Sequence, residues 1–91
     1  MTHRKQLLAQ SMALVRKSAR VILDPDRPQR VRPKECLTLL TEVTGLSRSG
    51  AEKLWYGITV ATNPTKRLLA DAVNHANRNS ARRERRNHQA R

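Results

Sequence analysis

The apolar spacing of this chain predicts an all-α fold: a small bundle of about four helices, two of them joined by a tight glycine turn. Three observations carry that reading. Leu8, Met12, Val15, Ala19 and Ile22 recur at offsets of four and three, which places them on one face of a helix. Prolines stand where helices can begin, at Pro33 and Pro64. Glycines stand where helices can end, at Gly45 and Gly57.

The chain has 91 residues, enough for one small domain with a marginal core that a dimer partner would help to stabilise. It has no Phe, one Trp and one Tyr, so Leu, Val, Ile and Ala must supply nearly all the packing. A formal charge of +12 and a pI near 11.6 point to polyanionic partners, nucleic acid first and acidic membranes second. The single cysteine, Cys36, excludes an intrachain disulfide and a cysteine-based zinc site, and among Leu37, Leu39 and Leu40 it reads as a small buried hydrophobe. No signal peptide or transmembrane span is expected, and a soluble, cytoplasmic protein associated with the nucleoid is.

Taken in order, residues 3 to 22 form the first helix, with Leu7 and Leu14 beside its apolar stripe. Arg4, Lys5, Arg16, Lys17 and Arg20 fall largely on its other faces. That stripe serves the core, a dimer seam, or both. Asp24-Pro25-Asp26-Arg27-Pro28 stops the helix, and the stretch to Arg32, with Arg27, Arg30 and Arg32, reads as a solvated connector whose charge alone does not show phosphate contact. Pro33 opens the second helix, where Cys36, Leu39, Leu40 and Val43 recur at helical spacing. Thr44-Gly45-Leu46-Ser47 is the turn, and Ser47 caps a third helix through Tyr56. Ala51, Leu54 and Trp55 face its core side, leaving Arg48, Ser49, Glu52, Lys53 and Tyr56 outward. Asn63-Pro64 starts a fourth helix with Asn63 as cap and Leu68, Leu69, Ala72, Val73 and Ala76 as its apolar face. The domain spans 1–78. Residues 79–91 form a flexible basic arm, since from Arg78 to Arg91 there are six arginines and no large apolar residue.

The third helix carries the chemistry. A helix fits the DNA major groove, and side chains near its N-terminus meet base edges. Arg48 can grip guanine through O6 and N7, Ser49 can donate or accept, Gly50 permits close approach, and Glu52 can accept from cytosine or pair with Arg48 or Lys53. Lys53, Tyr56 and Lys66 are candidate phosphate contacts. No catalytic residue, cofactor or metal site is expected: His3, His75 and His88 are scattered, and no glycine loop suits a phosphate.

Leu40, Gly45, Leu46 and Leu54, with the run Ser49-Gly50-Ala51-Glu52-Lys53-Leu54-Trp55-Tyr56-Gly57-Ile58, resemble the lambda-repressor-like (Cro/C1-type) helix-turn-helix of phage and plasmid regulators. The likeness covers about residues 37 to 73 and continues into Leu68-Leu69-Ala70. It implies base contacts at Arg48, Ser49, Gly50 and Glu52, with Leu37 or Tyr56 as further positions. It implies backbone contacts at Thr59, Thr62 and Asn63. Thr41 departs from the family's usual alanine, Thr44 from an apolar residue, and Leu37 from a polar one. The resemblance implies a sequence-specific transcriptional regulator, a repressor that binds a palindromic double-stranded operator as a homodimer. Two alternatives stand beside it. Arg82, Arg83, Arg85 and Arg86 of the tail resemble the arginine-rich RNA-binding peptides of antitermination proteins. A nonspecific nucleoid-type DNA-binding protein would also explain the charge.

Overall fold

In the computed structural model, residues 2–89 are described, with side chains described for residues 3–82. The chain folds into α1 (Thr2–Leu23), a 3-10 turn (Pro28–Arg30), α2 (Pro33–Thr44), α3 (Arg48–Trp55) and α4 (Asn63–Gln89), with no strand among the described residues. The all-α expectation therefore holds.

The core lies where α1, α2, α3 and the first turns of α4 meet. Val15 and Ala19 of α1, Cys36 and Leu40 of α2, Ala51 of α3 and Leu69 of α4 have no exposed surface, and Leu37, Leu54, Trp55 and Ala61 complete the cluster. The stripe on α1 thus serves the core. At only 8 residues, α3 is too short to hold its shape alone and depends on that burial.

α1 and α4 lie side by side and run in the same direction. At one end the backbone N–H of Ala61 donates to Ser11 Oγ at 2.8 Å. At the other, Ser80 Oγ donates to Asp26 Oδ1 at 2.6 Å. Ser11 and Ser18 are buried, and their small side chains let the two helices approach. Ser11 also answers a backbone donor that would otherwise be buried unpaired. Among the described residues, no buried side-chain nitrogen or oxygen lacks a partner.

Several expectations need correction. Arg16 turns inward: its Nε donates to the carbonyl of Trp55 at 3.0 Å, and its guanidinium lies 5.0 Å from the indole centroid, with that of Arg20 at 5.9 Å. Trp55 thereby gains two cations over its ring. Within the connector Asp24 Oδ1 accepts from the N–H of Arg27 and Pro28–Arg30 make one turn. Asn63 is the first helical residue of α4 and not its cap. Thr62 takes that role, with Oγ1 3.4 Å from the N–H of Thr65. Leu68 stands 43% exposed, because α4 turns Thr65, Leu69 and the half-buried Ala72, Val73 and Ala76 inward. The helix also continues past Ala76, where apolar spacing fades. The expected boundary at residue 79 falls inside α4, since Ala, Arg, Glu and Gln propagate a helix that the core has already nucleated.

Candidate nucleic-acid interface

The turn between α2 and α3 is built from backbone demands that the sequence meets. Gly45 has φ +73°, the left-handed conformation that lacks penalty only for glycine, and its N–H returns to the carbonyl of Thr41 at 3.0 Å. The Thr44 hydroxyl donates to the Leu40 carbonyl and accepts from the N–H of Leu46, so the threonine ties the turn to α2 where an apolar residue would only fill space. Thr41 likewise donates to the Thr38 carbonyl at 2.6 Å. Ser47 then caps α3, its Oγ accepting from the N–H of Gly50 at 3.2 Å. At the far end Gly57 has φ +69°. The N–H of Gly57 bonds to the Leu54 carbonyl and that of Ile58 to the Lys53 carbonyl, the double closure of a Schellman motif.

Between those two stops α3 has an inner and an outer side. Ala51, Leu54 and Trp55 are buried, whereas Arg48, Ser49, Glu52, Lys53 and Tyr56 are exposed. Gly50 is half-buried and flanks this outer side, facing Leu46 and Ser47. Leu37 is 6% exposed and packs in the core, so it cannot reach a base. Arg48 does not extend freely. Its Nε lies 3.3 Å from Glu52 Oε1, and its Nη1 donates to Thr38 Oγ1 at 3.3 Å, which draws the guanidinium across to α2. The pair is exposed, and such pairs contribute little, so either partner can be exchanged for another polar group at small cost.

The segment after α3 is less uniform than expected. Thr59, Thr62, Asn63 and Lys66 are all exposed. The Thr62 hydroxyl, however, is already engaged with both the N–H and the hydroxyl of Thr65. Lys66 stands on the side of α4 that faces Lys17 of α1. Ile58 is 59% exposed and Val60 39%, giving an apolar edge beside Tyr56 that apolar spacing had not singled out. Arg82 is exposed on α4, while Arg83, Arg85 and Arg86 lie outside the residues whose side chains are described.

Charge is distributed unevenly. Within residues 33–57, Lys34, Arg48 and Lys53 are balanced by Glu35, Glu42 and Glu52, so the whole formal +12 lies outside the turn and its two helices. Cations are instead carried by α1, the connector and α4. A long-range pull on a polyanion would come from those elements.

No group of three metal-ligating side chains occurs among the described residues, and exposed His75 meets only Asn79, Nε2 to Nδ2, at 3.2 Å. Burial pushes the Cys36 thiol above its ordinary range, an effect that Glu35 reinforces and Arg20 opposes. A protonated, inaccessible thiol is a poor nucleophile. Among the described residues no helix is long and apolar enough to cross a membrane. Comparison with known protein families, with curated proteins and with solved structures finds no match.

Proposed function

We propose that this chain is a sequence-specific DNA-binding transcriptional regulator of the lambda-repressor-like type, with α3 as its reading helix. The observation that carries the proposal is the arrangement of α3 itself. It is a short helix held by Ser47 at one end and Gly57 at the other, with its apolar side buried and Arg48, Ser49, Glu52, Lys53 and Tyr56 in solvent. An open polar outer side between two fixed ends is what a groove-reading helix requires. One such helix discriminates only a few base pairs, so a homodimer on a palindromic operator is part of the proposal. Ile58 and Val60, uncharged and exposed beside α3, suit a contact with a second copy. Promoter occupancy, and hence repression, is the output proposed.

A second reading has its own support: α4 continues as helix to Gln89, so Arg78 and Arg82 lie on a preformed cationic rod. Arginine-rich helices of that kind enter RNA hairpins. Selection of bound sequences from random DNA and RNA pools, using the full chain and a chain lacking residues 79–91, separates the two. The DNA proposal expects a palindromic duplex consensus that survives the truncation. A hairpin consensus that disappears with the truncation would favour RNA, and no consensus in either pool would leave nonspecific DNA binding.

A further inference from the structure

The outer side of α1 forms a groove that shares only Lys66 with the candidate DNA contacts. Between α1 and α4, Leu14, Val21, Ala70 and Val73 make an apolar floor, rimmed by Lys17 and Lys66, around a space of about 270 Å³. Leu14 is 40% exposed, although it lies beside the core stripe. Its exposure has a structural origin. The small Ser11 and Ser18 set the α1–α4 contact, and Leu14 and Val21, offset from them by three residues each, are left at the open edge. Across the Lys17–Val21 ridge the surface continues into a second groove of about 530 Å³, where Met12 and Pro28 lie among Arg16, Lys17 and Arg20. Among the described residues lining the two grooves, every charged side chain is basic.

We infer that this surface docks an acidic amphipathic helix of another protein. The apolar floor supplies what a nucleic-acid backbone does not need, and the uniformly basic rim disfavours a second copy of this chain, which would bring its own Lys17 and Arg20 against the first. A helix is the fitting shape, because the floor residues are themselves spaced at helical intervals along two parallel helices, Leu14 with Val21 and Ala70 with Val73. Leucines at i, i+3 and i+7 would enter the groove, with glutamates on either flank meeting Lys17, Lys66 and Arg20. Lys17 stands on the side of α1 turned away from Val15 and Ala19. The inference does not rest on the DNA-reading proposal, although Lys66 is common to both.

The test uses the full chain and a synthetic helical peptide with that leucine and glutamate pattern, followed by titration calorimetry and backbone NMR shifts. The expected result is saturable binding with shifts clustered at Leu14, Lys17, Val21, Ala70 and Val73. Lys17→Glu and Leu14→Gln should each weaken it about tenfold, and an equally acidic peptide with serines for leucines should lose most of the affinity. Equal binding of the serine peptide, or shifts spread over the arginines of α4, would reduce the effect to general charge attraction and overturn the inference. So would stronger binding to phosphatidylglycerol vesicles mapped to the same residues, or concentration-dependent self-association through them.

Discussion

Single atoms decide much of this small fold. The Ser11 hydroxyl accepts from the buried N–H of Ala61 at 2.8 Å, and Ser11→Ala would take that partner away. A loss of about 1–3 kcal/mol is expected, read as a lower denaturant midpoint. The two left-handed glycines should differ in cost. At Gly45 an added Cβ meets nothing within 4 Å, so Gly45→Ala carries only the backbone penalty of about 1–2 kcal/mol. At Gly57 the same Cβ would lie 3.2 Å from Met12 Sδ and 3.9 Å from the Leu8 carbonyl, in addition to the same penalty. Gly57→Ala should therefore lower the melting temperature more than Gly45→Ala, and the reverse order would contradict the packing of α1 against the end of α3.

At the scale of elements, the position of α3 depends on α1. Arg16 holds the last residue of α3 by its carbonyl and its ring together, so Arg16→Met, which keeps the stem but loses the donor and the charge, should cost about 1–2 kcal/mol. Faster amide exchange in Leu54–Tyr56, with α4 unchanged, is the signature to measure. This contact also marks the limit of what the sequence disclosed. Helix starts at Pro33 and Ser47, stops at Gly45 and Gly57, and the two sides of α3 were all legible, because proline, glycine and capping serine act on their own backbone neighbours. Arg16, Ser11 and Thr38 were not, because their partners Trp55, Ala61 and Arg48 are far along the chain and only tertiary packing brings them together. Arg16 and Arg20, four residues apart and basic, looked like solvated surface. Thr62 displaced Asn63 as cap because both residue types can cap, and the helix register chose between them. The reach of α4 was missed because apolar periodicity reports burial, and a helix can outrun the core it packs on.

For the whole molecule, the long α4 gives principal extents of 56 × 25 × 24 Å, and the charge is segregated from the turn that would read sequence. Affinity and address are therefore expected to be separable. Arg78→Ala with Arg82→Ala should weaken binding to specific and random duplexes alike, and should lower the slope of log affinity against log salt by up to about two if each arginine meets one phosphate. An unchanged slope would place the phosphate contacts elsewhere on the basic surface. The central claim, that α3 reads bases, is tested most directly at Arg48. Dissociation constants of wild-type and Arg48→Ala protein would be measured on the selected duplex and on a random duplex at one salt concentration. A base-reading Arg48 entails a loss of about tenfold or more on the selected duplex, equivalent to about 1–3 kcal/mol, with little change on the random one. Equal losses on both would contradict it.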